Sequence, residues 1–541
     1  MGRTKQAACA LGAATAVAAT LVGTAQGATS NRASHVLLLS IDGLHQSDLS
    51  WFTATHPQSV LARLVRRGTD YTAASTPFPS DSFPGMTAQV TGGDPRTTGI
   101  YYDDSWNRRL LPAGTKTCSG GKPGVEVTYF EQADRTSTAL DAGQGLPGLP
   151  AGIAAMTGQP RDVIDPAQLP VDPGSCKPVY PHQYLRVNTA FEVVRKHGGR
   201  TAWSDKHAAY DLLQGPSGAG IQDLFTPEIN SDASAPGKDW TSDNASTQLY
   251  DSFKVAAVLR EIDGFDHSGN RQVGVPRLFG MNFQTVSTAQ KLPTSQGQPG
   301  GYDANGTPGP VLRRALESVD YQVGRMTAEL QRRRLYATTT IILSAKHGQS
   351  PMTPGALTRI PDGPIIDGLN AAWKKDNPNA SQPLVAFSVS DDGMLIWLND
   401  RSAAATAYAQ NYLQNQNGNG NDISGASKAY TSSGLQKIYA GQAAADLIGV
   451  PVSDERVPDV IGIAQHGVVF TGKQGKIAEH GGADEQDRHV PILVIGPGAQ
   501  AGRSVNQAVQ TTQIAPTILH LLGLAPSELQ AVAAQRTPLL P

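Results

Sequence analysis

Short apolar runs that each end beside a chemically reactive residue constrain this chain more than any other feature. His35-Val36-Leu37-Leu38-Leu39-Ser40-Ile41 is nearly all apolar and stops at Asp42-Gly43. A run of that length and composition predicts a central parallel strand covered on both faces. Open α/β sheets bind their ligands at the carboxyl ends of such strands, so Asp42 is expected at that edge. Thr338-Thr339-Thr340-Ile341-Ile342-Leu343-Ser344 is β-branched and apolar, and it delivers Lys346-His347-Gly348 to the loop beyond. His480-Gly481 sits in a polar loop ahead of a further buried-strand pattern, Val490-Pro491-Ile492-Leu493-Val494-Ile495. Singly, Asp42 also reads as a helix cap and each histidine as a solvated or core residue. Together they read as one site.

A fourth motif supplies a nucleophile. Ser82 stands between Asp81 and Phe83-Pro84-Gly85, and Met86 to Thr91 then reads as the start of a helix with Pro84 at or near its first turn. Backbone N–H groups and the positive dipole end at a helix N-terminus suit an anionic ligand. The competing reading of Ser82 is an N-cap.

These segments resemble the alkaline phosphatase superfamily, and within it the type I phosphodiesterase/nucleotide pyrophosphatase branch. The likeness runs through Ile41-Asp42-Gly43, the turn Pro79 to Gly85, Thr91-Gly92-Gly93-Asp94-Pro95-Arg96-Thr97-Thr98-Gly99-Ile100, the helix Val311 to Arg334, the loops at His347 and His480, and Gln513 to Leu519. The resemblance implies a doubly wound, mostly parallel α/β sheet with helices on both faces, a covalent intermediate on Ser or Thr, and usually two zinc ions. One zinc would be bound by residues matching Asp42, Ser82, an aspartate at position 346 and His347. The other would take an Asp and a His four residues apart, together with the residue matching His480.

This chain departs from that pattern. Position 346 is lysine, and Gln284 and Thr288 stand where the Asp and His are expected. A protonated amine about 4 Å from a divalent cation is repelled by roughly 8 kcal/mol at an effective dielectric near ~20. Neutral oxygens of Gln and Thr are poor zinc ligands. A standard dinuclear zinc site is therefore not expected. Either Lys346 supplies charge that a metal would otherwise bring, as basic groups do beside the single metal of sulfatases, or a different ligand set forms. The expected complement is one divalent ion, zinc, held by Asp42, His347 and His480, with Ser82 and Lys346 catalytic. Asp205 and His207, in Trp203-Ser204-Asp205-Lys206-His207, are possible replacement ligands, as is Gln284.

Composition bears on location and partners. Met1 to Ser30 has a basic start at Arg3 and Lys5, an apolar stretch from Ala7 to Val22, and small residues around Ala25-Gln26-Gly27, so 1–27 is expected to be a signal peptide and the protein secreted or periplasmic. No later segment reaches membrane-span length. A formal net charge of −2 with dispersed Lys and Arg leaves no electrostatic footprint for nucleic acid. Cys9 would leave with the signal, so Cys118 and Cys176 are expected to form a disulfide. Residues 28–541 then form the α/β domain, with a Gly- and Pro-rich insertion over about 101–275 acting as a cap. Pro- and Gly-rich 293–310 reads as a linker, and Gln414 to Asp422 as a surface loop.

The expected activity is hydrolysis of a small phosphate ester, with Ser82 attacking phosphorus and a metal or cationic neighbour favouring its alkoxide. Two readings compete with a phosphodiesterase: a non-catalytic anion-binding protein on a phosphatase scaffold, and a sulfatase or phosphonate-type hydrolase.

Overall fold

The computed structural model describes residues 32–127, 133–148, 152–472 and 475–541; the expected signal segment lies outside them. The main sheet has eight strands: β1 (His35–Ile41), β2 (Gly68–Tyr71), β3 (Ala202–Ser204), β4 (Asp223–Phe225), β5 (Leu278–Phe283), β6 (Thr339–Ser344), β7 (Ile492–Ile495) and β8 (Arg503–Val505). They lie in the order β8-β2-β7-β6-β1-β5-β3-β4. Neighbours are parallel except β7, which runs antiparallel to both β6 and β2.

Helices cover the two faces, among them α1 (Ser82–Thr91), α2 (Asn244–Ile262), α3 (Pro310–Arg332) and α4 (Ile514–Leu521). Strand alternation explains why β1 is apolar throughout. Val36 and Leu38 pack with Phe83, Met86 and Val90 of α1 and Ile518 of α4. Leu37, Leu39 and Ile41 face the other way, toward Val255 of α2 and Leu312 and Leu316 of α3. Each such side chain fully removed from water contributes about 1.5–3 kcal/mol. That two-sided packing fixes the register of β1. Ser40 lies opposite Asn282 on one side and Ser344 on the other. Two residues further on, Asp42, Gln284 and Lys346 therefore leave the sheet at one level.

Residues 101–275 are not purely a cap. They contribute β3, β4 and α2, which complete one flank of the main sheet. The β3 and β4 strands are three residues long, too short for alternation to show in the sequence. The disulfide Cys118–Cys176 forms within the same segment, outside the sheet. Between β6 and β7 the chain builds an antiparallel sheet from Val385–Ser390, Gly393–Leu398, Val460–Ala464 and Leu435–Ala440, backed by Ile365, Leu369 and Leu413 of two helices. The stretch 414–422, expected as a loop, instead ends a helix and forms the strand Gly418–Asn421, paired with Ser427–Tyr430.

Candidate active site

Asp42 is buried at the end of β1 and its carboxylate is filled by fixed donors. Asn282 Nδ2 donates to Oδ1 at 2.8 Å and Gln284 Nε2 to Oδ2 at 2.6 Å. Lys346 Nζ lies 3.6 Å from Oδ2. Burial alone would raise this carboxyl, but Lys346 foremost, then His347 and Lys206, hold it at about 2. Lys346 is itself fully buried. Its ammonium donates to Asp205 Oδ1 at 3.1 Å and to the Tyr210 hydroxyl at 2.6 Å, and it sits 4.2 Å from the centre of the Tyr210 ring. Burial lowers its pKa while Asp205 and Asp42 oppose that shift. Asp205 also accepts from Trp203 Nε1 and from the Lys206 backbone N–H, each at 2.9 Å.

Ser82 is the first residue of α1, and Asp81 is the cap, accepting from Phe83 N at 3.0 Å. The helix lies directly on the Lys346-His347 loop: a Cβ at Gly85 would come within 2.1 Å of the Lys346 carbonyl oxygen. Only glycine allows that approach. It brings Ser82 Oγ to 3.2 Å from His347 Nε2. His347 Nδ1 lies 2.9 Å from the Gly348 carbonyl, which only accepts, so Nδ1 carries the proton and Nε2 presents its lone pair to the hydroxyl. Burial pushes the imidazole down to about 3, against Asp42, so it is neutral at ordinary pH. Lys206 Nζ donates to Ser82 Oγ at 3.4 Å.

His480 completes the far side. Its ring lies 3.8 Å from that of His347, centre to centre, and its loop is tied to the nucleophile turn by Gly481 N donating to Ser80 O at 3.2 Å and Ser80 Oγ to Gly482 O at 2.7 Å. Nδ1 of His480 lies 3.5 Å from Asp81 Oδ1, and neither atom has a hydrogen-bond partner among the described residues. Burial pushes Asp81 up to about 6 and drives His480 well below its usual value. Asp391, Glu479 and His480 bring ligand-type atoms within 4.8 Å of one another. Lys291 and Lys476 pair with Glu479 and hold it at about 2 against burial, whereas burial and then Glu479 push Asp391 up to about 7.

Asp42, Ser82, Lys346, His347 and Gln284 thus meet at one sheet edge, with His480 beside them. His207 pairs with Glu228 at 2.8 Å, and Asp205 is the anion beneath Lys346. Thr288 turns its hydroxyl toward α2, where it accepts from Asn244 at 2.8 Å and lies 3.1 Å from that of Thr247. Lys206, Asp81 and Asp391 belong to the site and were not singled out from sequence. Lys206 has no motif of its own, and Asp391-Asp392-Gly393 reads as an ordinary turn.

The type I phosphodiesterase/nucleotide pyrophosphatase family model matches residues 36–487. The chain belongs to that family. It is a hydrolase acting on phosphate esters. Among solved structures it resembles wild type alkaline phosphatase PafA, with a TM-score of 0.59 and 13% identity over 91% of this chain and 96% of that one. Murine ectonucleotide pyrophosphatase/phosphodiesterase 5 matches with a TM-score of 0.54 and 12% identity over 91% and 96%, and the human protein of that name with 0.54 and 13% over 91% and 95%. At such identities these structures establish a shared fold. No curated protein sequence matches the chain.

The family is metal-dependent, typically through zinc. The residues present do not fit its two-ion arrangement. An ammonium stands at position 346, 3.6 Å from the Asp42 carboxylate that would be a ligand. Gln284 donates its amide to the same carboxylate, and Thr288 is taken up by α2. Of the three side chains expected to hold a single ion, Asp42, His347 and His480, the first is thereby engaged.

Proposed function

We propose that this hydrolase cleaves small phosphate esters outside the cytoplasm through a phosphoseryl intermediate on Ser82. The observation that carries the reading is the 3.2 Å contact of Ser82 Oγ with an unprotonated His347 Nε2 at the N-terminus of α1. Ser82 passes its proton to Nε2 as Oγ bonds to phosphorus, the bond from phosphorus to the departing oxygen breaks, and the proton is returned to that oxygen. Water then attacks the phosphoserine, the P–Oγ bond breaks, and Ser82 regains a proton.

The two-ion arrangement being unfit, the reading allows one divalent ion, which Asp391, Glu479 and His480 would hold only if Lys291 and Lys476 released Glu479 and Tyr102 released Asp391; Lewis-acid charge is what it would supply. A nucleotide is one such ester: an inactive variant of murine ectonucleotide pyrophosphatase/phosphodiesterase 5 is described in complex with AMP. The disulfide and the leader-like composition of residues 1–27 support export.

Ser82→Ala tests the nucleophile. Release of nitrophenolate from bis(p-nitrophenyl) phosphate should fall by about 10³-fold or more, with the melting temperature within a few degrees of wild type. A variant that turns over near the wild-type rate would refute the covalent mechanism.

A further inference from the structure

Four arginines from four separate segments converge on one cavity at the edge of the main sheet opposite Ser82. Arg161 lies on the turn Pro160–Asp162, Arg195 in the last turn of the helix Ala190–Lys196, Arg200 just ahead of β3, and Arg271 between α2 and β5. They line a space of about 640 Å³, with Asp223 and Asp266 as the acidic residues in its wall. That volume is in the range of small-molecule sites. Arg200 and Asp223 mark the amino ends of the parallel strands β3 and β4, whereas Asp205 leaves the carboxyl end of β3 on the catalytic side. Five residues of extended chain, roughly 16 Å, therefore separate the two edges.

The carboxylates do not cancel the charge of this cavity, because a guanidinium keeps its proton and the acids present are already claimed. Asp223 accepts from His267 N at 2.8 Å, and His267 Nδ1 lies 2.6 Å from its Oδ1. His267 Nε2 lies 2.7 Å from the Met156 carbonyl, so both ring nitrogens face acceptors and the ring is an imidazolium. Against burial, Asp223 raises the pKa of that ring. Arg200 must share the same carboxylate, from 3.4 Å. Arg271 donates Nε to Asp266 at 2.9 Å, with its side chain 79% exposed at the mouth. Arg161 donates to the Gly218 carbonyl, and its Nε lies 3.5 Å from Asp211, which also serves His182 at 2.6 Å. Arg195 meets no carboxylate among the described residues: Nη1 donates to Gly199 O at 3.3 Å, and its buried Nε has no partner. Glu261 of α2 is wholly buried with both oxygens unpartnered, and burial, then Asp223, pushes it well above the usual carboxylate range, so it adds no negative charge.

We propose that this cavity is an anion site, separate from the catalytic centre, that takes a phosphate group. Guanidinium forks pair with phosphate oxygens two at a time, and a phosphate offers oxygens in several directions with a charge near two. A carboxylate has two oxygens in one plane and a single charge, too little for arginines that approach from four segments. The site does not depend on how Ser82 reacts.

Equilibrium dialysis of the full mature chain against radiolabelled inorganic phosphate counts the sites, and inhibition of bis(p-nitrophenyl) phosphate turnover by phosphate reports the catalytic centre separately. Arg195→Gln combined with Arg161→Gln should remove one bound phosphate per chain, or weaken it by about tenfold or more. The inhibition constant should stay within about twofold of wild type, and the melting temperature within a few degrees. Arg271→Gln, a change on an exposed side chain that the fold does not need, should weaken the same phosphate by about threefold or more. An unchanged count and affinity in these variants would overturn the proposal. So would a loss of phosphate matched by an equal rise in the inhibition constant, since the arginines would then be acting on the catalytic centre. Vesicles of phosphatidylcholine with and without phosphatidic acid separate the sources of the phosphate: sedimentation with phosphatidic acid that is lost in Arg195→Gln assigns the site to a lipid headgroup, and phosphate binding without sedimentation assigns it to a soluble phosphate compound.

Discussion

The Asp42 side and the His480 side of the site solve the same electrostatic problem in opposite ways. At Asp42 the chain satisfies its own charge: the carboxylate takes amides from Asn282 and Gln284 and lies beside the buried ammonium of Lys346. At His480 the lysines Lys291 and Lys476 satisfy Glu479, but two atoms beside it stay open. Asp81 Oδ1 and His480 Nδ1 are buried 3.5 Å apart with no hydrogen-bond partner among the described residues, and burial pushes the nearby Asp391 up to about 7. Buried polar atoms are costly unless paired, so the open side is where a ligand gains most. Fixed donors close the Asp42 half of the site, and the unpartnered atoms of Asp81 and His480 keep the other half receptive.

The sharpest way to break this contrast is to remove the closing charge. Lys346→Ala leaves Asp42 and Asp205 as buried carboxylates without their shared cation, so unfolding by urea should show a loss of about 3–5 kcal/mol. Activity should fall with it, because the chain at Lys206 is held through Asp205. A variant as stable as wild type would mean that the lysine is not the counter-ion of this pair. The Gln284 amide tests the same half more gently. Gln284→Leu removes one charge-assisted donor from Asp42 and should cost about 1.5–3 kcal/mol. It should do so without abolishing phosphoserine formation, since Gln284 touches neither Ser82 nor His347. Loss of the phosphoserine with stability intact would show instead that this side takes part in the chemistry.

How far the sequence revealed the site depends on the same division. Asp42, Lys346 and Gln284 were legible because each follows a long apolar run, and the register of β1 with β5 and β6 converts those runs into neighbouring side chains. Ser82 and His347 were legible as motifs. Lys206 was not, because β3 is three residues long and its placement beside β5 is a tertiary fact. Asp391 is harder still. It arrives on a hairpin turn of the sheet between β6 and β7, where Asp392 N donates to His480 O at 3.1 Å. Turn residues carry no sign of what a turn will touch. The same shortness of strand hid β3 and β4 inside 101–275, so that a flank of the main sheet read as a cap.

A pH-dependent effect concerns the support of the open half. Asp487 lies beneath the His480 loop: a Cβ at Gly482 would come within 2.3 Å of its Oδ2, and its backbone carbonyl accepts from Gly348 N at 2.7 Å. Its carboxyl is fully buried close to that of Asp392, and burial pushes it up to about 8. An unfolded chain ionises the same group near about 3.9. Between those values the unfolded state loses a proton that the folded state keeps, so stability is highest below the unfolded pKa, falls as pH rises, and levels off above about 8. Asp487→Asn removes this titration while keeping the shape. Its stability relative to wild type should therefore be near zero at pH 4 and rise to about 1–2 kcal/mol in its favour at pH 9, read from urea unfolding at a series of pH values. Parallel curves for the two proteins would mean that the carboxyl ionises in the folded state as it does in water, and the His480 side would then carry no such electrostatic load.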